Sequence, residues 1–375
     1  MAKLSPFIVY LTRFLWLIFA VSLLTNCRSY PTAQGQQYLD GEFSSPFNLS
    51  QPLLTLPVNV ADYREQIELI KTVSPSLYAK NESVYQAIEQ WLQQQFSTNQ
   101  FNRVGLSSYQ LAGQDDYGNV HLTGYYTPVF KARHQADEHY RYPLYTKPTY
   151  WNGELPNRQQ IYAGAFAGQN LEIAYTRSLI DNFIMEVQGS GYIDFEDDSP
   201  PVFFGYHGKN GHPYRSIGRI LVEQGDIARD KISMQAIKQW ADKQSDQTVI
   251  DLLVQNHSAV FFKPQYNANV IGSAGVPLVA KASVASDKSL IPTGSVLMVE
   301  VPLLDQFGKL TGQRELRLMV ALDIGGAIRG QHLDIYQGIG DEAGELAGFY
   351  NHYGRVWQIA PASNSYLSSN AIFNK

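Results

Sequence analysis

The sequence predicts a mainly β chain with a few helices, and three observations carry that prediction. Short alternating or apolar runs recur between Gly, Pro and Asn breaks: Val120 and Leu122 into Tyr126, Ile173 to Tyr175, Phe183 to Val187, Val296 to Val301, and Leu316 to Leu322. The 375 residues include 29 glycines and 18 prolines, a turn-rich bias that suits many short strands. Helical periodicity is confined to a few stretches. Local pattern leaves sandwich and barrel both open, and the length fits two domains.

Taken in order, the chain opens with Lys3 and Arg13 ahead of the apolar run Leu15 to Leu24. That run is the length of a signal-peptide core and falls short of the roughly 20 residues that cross a bilayer. Leu24 to Cys27 reads L-T-N-C and resembles a bacterial lipobox, so residues 1–26 are expected to be a lipoprotein signal peptide and Cys27 the lipidated residue. Cys27 is the single cysteine, which excludes an internal disulfide and a thiolate zinc site. Arg28 and Ser29 follow with no Asp, which by resemblance to bacterial lipoproteins implies the outer membrane. Residues 27–56, rich in Ser, Pro, Gln and Thr, read as a tether.

Tyr63, Ile67 and Ile70 share one helical face, and Val84, Ile88, Trp91 and Leu92 share another, with Asn81 expected as the N-cap of that second helix. Ile232, Ala236, Ile237 and Trp240 mark a third, with Ser233 near its start, and Asp341 to Phe349 a fourth with acidic residues at its positive end.

Two aspartates concentrate the chemistry. Leu316, Leu318, Val320 and Leu322 alternate like a half-buried strand, delivering Asp323 to the Gly325-Gly326 turn. Leu333, Ile335 and Tyr336 flank Asp334, and an apolar collar raises a carboxyl pKa so that it can serve as a general acid. The bland alternative for Asp323 is an Asx turn.

Other chemistries find little support. The eight histidines form no H-E-x-x-H, and the pairs His134/His139 and His207/His212 sit in polar, turn-like segments, so no metal and no cofactor are expected. Gly189-Ser190-Gly191 lacks the spacing of a nucleophile elbow, and Gly338 to Gly344 has one residue too many for a dinucleotide fingerprint. A net charge of -5 argues against nucleic acid as a partner. Among 24 tyrosines, Tyr125, Tyr126, Tyr192 and Tyr336 offer flat faces suited to sugar rings.

The string from Arg317 to Trp357, with G-Y-Y-T-P-V at Gly124, Q-G-S-G-Y-I at Gln188, Y-R-S-I-G-R at Tyr214, N-H-S-A-V-F-F at Asn256, G-S-A-G-V-P-L at Gly272 and I-P-T-G-S at Ile291, resembles the membrane-bound lytic transglycosylase A family in residues and order. The resemblance implies a double-psi β-barrel built from residues 57–128 and 263–375, a second β domain inserted at 129–262, and a groove between them. It implies non-hydrolytic cleavage of the MurNAc-GlcNAc β-1,4 bond of peptidoglycan, giving 1,6-anhydro ends. Asp334 would be acid and base, with Asp323 assisting. Tyr126, Thr127, Gln188, Ser190, Gly325, Gly326 and Tyr336 would bind glycan. Expected partners are glycan strands, the outer membrane through the lipid, and cell-wall synthesis complexes. The alternatives are a murein-binding lipoprotein without catalysis, and a hydrolase using both carboxylates.

Overall fold

The computed structural model describes residues 55–114, 118–266 and 268–362, together with a small hairpin of β1 (Tyr38–Leu39) and β2 (Glu42–Phe43). The signal-peptide segment, Cys27 and nearly all of the expected tether lie outside the described residues.

Two helices lead. Helix α1 (Val60–Val73) buries Tyr63, Gln66 and Ile70, and α2 (Pro75–Gln93) buries Tyr85, Ile88, Trp91 and Leu92. Pro75 at the first turn fits a helix start, where its missing N–H costs nothing. The second helix therefore begins before Asn81, which is not its cap: the Asn81 amide donates back to Leu77 O at 3.0 Å inside the helix.

Strands β3 (Leu106–Gln110), β4 (Val120–Thr127), β11 (Ser283–Ser286), β12 (Val296–Leu304), β13 (Leu310–Asp323), β14 (His332–Ile339), β15 (Asn351–Gly354) and β16 (Val356–Pro361) form one sheet in the order β15-β4-β14-β11-β13-β12-β16-β3. Two pairs are parallel, β4 with β14 and β11 with β13, and the others are antiparallel. No hydrogen-bonded ladder joins the edge strands β15 and β3 among the described residues.

A second sheet of six strands runs in the order β10-β9-β8-β5-β7-β6, from β5 (Val129–Arg133), β6 (Tyr142–Tyr145), β7 (Glu172–Thr176), β8 (Gly191–Asp194), β9 (Val202–Lys209) and β10 (Val260–Gln265). Between its strands lie α3 (Arg158–Tyr162), α4 (Leu179–Gln188), α5 (Ile217–Gln224), α6 (Met234–Ala241) and α7 (Asp246–Leu253), and α8 (Asp341–Phe349) follows β14. Helix and strand thus take nearly equal shares, so the expectation of a mainly β chain is corrected to a mixed one.

The segment Phe183 to Val187, read as a strand from its Phe, Ile and Val, lies within α4. Ser178 caps that helix by accepting from Ile180 N, Gly189 ends it in the left-handed region, and Leu179, Ile180, Phe183 and Ile184 form its buried face.

Strand β13 is buried on both faces rather than half-buried. Leu316, Leu318, Val320 and Leu322 pack with Tyr63, Ile70, Ile88 and Trp91 of α1 and α2, while Met319 and Ala321 turn the other way to meet Val120, Leu122, Val284, Leu333 and Ile335. The face that alternation left to solvent is thus closed by residues of β4, β11 and β14, and the two helices cover the apolar face that it predicts. Asn59, just ahead of α1, pins them there through Leu318 N to Asn59 Oδ1 at 2.9 Å and Asn59 Nδ2 to Leu318 O at 2.8 Å.

Candidate active site

Strand alternation and register build the site. On β4, His121, Thr123 and Tyr125 lie opposite His332, Asp334 and Tyr336 of the parallel β14, and His121 and Thr123 also lie opposite Tyr353 and Asn351 of β15. Residues directly opposite share a face. Three strands therefore present a grid: Tyr353, His121 and His332 in one row, Asn351, Thr123 and Asp334 in the next, Tyr125 and Tyr336 in the third. The intervening Leu122, Leu333 and Ile335 point to the opposite face, into the apolar interior.

Thr123 Oγ1 donates to Asp334 Oδ1 at 2.6 Å and lies 2.8 Å from His332 Nε2. Asp334 Oδ2 has no hydrogen-bond partner among the described residues, and the side chain keeps part of its surface open. Burial pushes the Asp334 carboxyl up to about 6, against the Thr123 hydrogen bond and aided by the charge of Asp323. The expected elevation is present, but its expected cause needs correcting. Of the three residues expected as its collar, Tyr336 shares the face of Asp334, whereas a period of two turns Leu333 and Ile335 away from it.

Asp323 ends β13, where the chain leaves the sheet for the Gly325-Gly326 turn. Its Oδ1 accepts from Ser273 N and Ile324 N, each at 2.9 Å, and its Oδ2 accepts from Tyr125 OH at 3.0 Å. Burial raises its pKa, and these donors oppose the rise. Ala285 of β11 lies opposite Asp323 on one side and Asp334 on the other, so one strand separates the aspartates. That places their Cα atoms about 10 Å apart, two strand spacings. Both carboxylates bear on one short stretch of the sheet.

The other predicted residues fall into two groups. Tyr336 is buried, 5.3 Å centroid to centroid from Tyr125, and its hydroxyl lies 3.2 Å from Thr127 Oγ1, itself buried. It joins Tyr125 and Tyr192 and the buried Phe203 in an apolar cluster linking the two sheets. Tyr126 turns to the far face of β4, its ring against Gly344 of α8, and its backbone N–H donates to Gln188 Oε1 at 3.1 Å. The structure thus joins Gln188 to β4 from the end of α4, with Ser190 part-exposed just beyond. At the Gly325-Gly326 turn, a Cβ on Gly325 would come within 2.5 Å of Ile328 Cγ1, whereas Gly326 faces open space.

Sequence reasoning missed Thr123, His121, His332, Asn351 and Ser273. Counting back by two from Tyr125 and Asp334 along their strands finds the first three. Asn351 and Ser273 carry no local signal. A separate cavity of about 440 Å³ between α1 and α2 has Glu68 exposed and Glu89 ion-paired with Arg64 at 2.8 Å, so it lacks a comparable acid.

The comparisons agree with this architecture. Residues 121–263 match the MltA specific insert domain and residues 282–360 match the 3D domain, which together define the class of membrane-bound lytic murein transglycosylases A. The chain is 53% identical over 352 residues to membrane-bound lytic murein transglycosylase A of Escherichia coli (strain K12), covering 93% of this chain and 96% of that one. The relative of that name in Vibrio cholerae is 42% identical over 341 residues, covering 91% and 92%. The crystal structure of E. coli MltA with bound chitohexaose superposes with a TM-score of 0.82 at 53% identity, covering 89% of this chain and 99% of that one. The chain belongs to the membrane-bound lytic murein transglycosylase A family.

Proposed function

We propose that this chain is a lytic transglycosylase that cuts the β-1,4 bond between N-acetylmuramic acid and N-acetylglucosamine in peptidoglycan, with Asp334 as its acid and base. The observation that carries the reading is a carboxyl pushed up to about 6, tied through Oδ1 to Thr123 and with Oδ2 left for a ligand. Protonated Asp334 gives its proton to the glycosidic oxygen as the C1–O4 bond breaks and its electron pair passes to that oxygen. The resulting carboxylate then takes the proton of the muramyl C6 hydroxyl while O6 bonds to C1. A 1,6-anhydro ring results, no water is consumed, and Asp334 ends protonated, ready for another cycle. Asp323, held by three donors, supplies negative charge near the oxocarbenium-like centre.

Family membership supports this reading, as does the glycan oligomer in the E. coli structure. Glycan contacts are assigned to Tyr126, Gln188, Ser190, Gly325 and Gly326, with the open Gly326 turn and the part-exposed Ser190 as the most accessible, and the buried Thr127 and Tyr336 are assigned to support that surface from beneath. We further infer two lobes, residues 57–128 with 263–375 and residues 129–262, with the glycan running between them. The first lobe is read as a double-psi β-barrel. Its two parallel pairs and an interior lined from β4, β11, β12, β13, β14 and β16 support that topology. Attachment to the outer membrane is assigned to lipid on Cys27, in keeping with relatives named membrane-bound.

Asp334→Asn tests the assignment. Acid–base catalysis contributes about a hundredfold to ten-thousandfold, and one group serves both steps here, so turnover on isolated sacculi should fall toward the larger figure. Retention of more than about a tenth of turnover removes Asp334 from the role.

A further inference from the structure

Beside Asp334 the grid holds two histidines that the proposed chemistry leaves unused. His332 stacks on His121 at 4.4 Å between ring centroids, and His121 in turn stacks on Tyr353 at 5.1 Å. His121 Nε2 is paired with Asn351 Oδ1 at 2.8 Å. The stack fixes the His332 ring plane, and its Nε2 meets Thr123 Oγ1. The chain His332, Thr123, Asp334 is continuous, with contacts of 2.8 and 2.6 Å.

A hydroxyl carries a single proton, so Thr123 can donate to His332 or to Asp334 but not to both. We propose that His332 acts through Thr123 as a positioning residue: its Nε2–H donates to Thr123 Oγ1, commits the Thr123 proton to Asp334 Oδ1, and so leaves the catalytic proton on Oδ2, the oxygen open to the sugar. Without that N–H, the Thr123 hydroxyl turns freely and a protonated Asp334 can hide its proton on Oδ1 by donating to Thr123. The same chain favours the carboxylate formed midway through the reaction, because a Thr123 hydroxyl that receives a hydrogen bond donates a stronger one.

His332 is suited to the task because burial, with His121 beside it, holds its pKa down at about 4, so it stays a neutral donor where Asp334 titrates. The other titratable groups around Asp334 are Asp323 of β13, Tyr125 and His121 of β4, and Tyr336 of β14, with His352 of β15 beside His121. Asp323 and Tyr125 are coupled to Asp334 by charge, whereas His332 reaches it only through Thr123 among the hydrogen bonds described.

This inference rests on Asp334 being the acid and base, and the test separates the two. Turnover of sacculi is measured against pH for Asp334→Asn, Thr123→Val, His332→Phe, His332→Gln and the double variant Thr123→Val with His332→Phe. Phe keeps the stack and removes the N–H; Gln restores an N–H. His332→Phe should lower kcat about tenfold with KM within about twofold, as for loss of one hydrogen bond. Its alkaline limb should move to higher pH, because the carboxylate loses support. A falling plateau with an upward-shifted limb is not the outcome of a mere packing defect. Thr123→Val should show the same signature more strongly, the double variant should match Thr123→Val alone, and His332→Gln should recover most of the loss. Additive losses in the double variant, an unmoved limb, or His332→Gln as poor as His332→Phe overturns the positioning role while leaving Asp334 in place. An active Asp334→Asn overturns the catalytic reading itself.

Discussion

Asp334→Asn should make the folded protein more stable as well as inactive, and the size of the gain follows from the site. The carboxyl is raised from an ordinary 3.8 to about 6, chiefly by burial. A group whose pKa is raised by folding contributes stability that is fully present below its unfolded pKa and is lost as pH rises through the folded one. The wild type therefore loses stability between about pH 4 and pH 6 relative to the amide, and the difference is constant above that. A rise of about two units corresponds to roughly 3 kcal/mol, or about 2 kcal/mol once the open part of the side chain is allowed its solvent screening. Asn keeps an oxygen to accept from Thr123, so that hydrogen bond should persist. The assay is thermal unfolding of wild type and variant from pH 3.5 to pH 8, where a gap of roughly 3 °C should open across the window and then hold. A gap that is the same at pH 3.5 and pH 7, or a variant less stable than wild type at pH 7, refutes the burial argument.

Other predictions follow from neighbouring contacts. Tyr125→Phe removes the hydroxyl 3.0 Å from Asp323, so the Asp323 pKa should rise and the acid limb of the rate profile should move to higher pH, read from turnover between pH 3.5 and pH 6. Arg158 is buried, paired with Glu186 at 2.7 Å and donating to the Asn256 and Ser258 carbonyls, so Arg158→Ala leaves the part-buried Glu186 carboxylate with Val260 N as its remaining described donor and should cost about 3 kcal/mol in urea unfolding. Cys27→Ser should release the protein from the membrane fraction and abolish fatty-acid labelling, with turnover on sacculi retained; unlabelled wild-type protein would contradict the lipobox reading.

What the sequence made legible was the strand carrying Asp323 and the turn after it, because alternation and glycine placement are local signals; the strand carrying Asp334 was not read from its short apolar run. Helix Asp341 to Phe349 was legible for a similar reason, its acidic start and apolar spacing lying within nine residues. The partners of those aspartates were less accessible. Thr123 lies 211 positions from Asp334, and only the parallel pairing of β4 with β14 joins them. Phe183 to Val187 was misread because β-forming side chains outweighed a Ser cap and a Gly end set five or fewer residues beyond the segment. Strand β13 seemed half-exposed because nothing local announces that β4, β11 and β14 will close over Met319 and Ala321 on its second face. Burial of Asp334 was anticipated from Leu333, Ile335 and Tyr336, yet only Tyr336 lies on the face that Asp334 occupies.

The central claim is that one aspartate cuts the glycan without consuming water, and the most direct measurement is mass analysis of the soluble fragments released from isolated sacculi. Fragments ending in 1,6-anhydro-muramic acid, each one water lighter than the hydrolytic product and free of label when the digest is run in oxygen-18 water, are the predicted result. Reducing ends carrying oxygen-18 would contradict the account and support a hydrolase using Asp323 and Asp334 as a pair, whereas glycan binding with no fragments released would leave a binding lipoprotein.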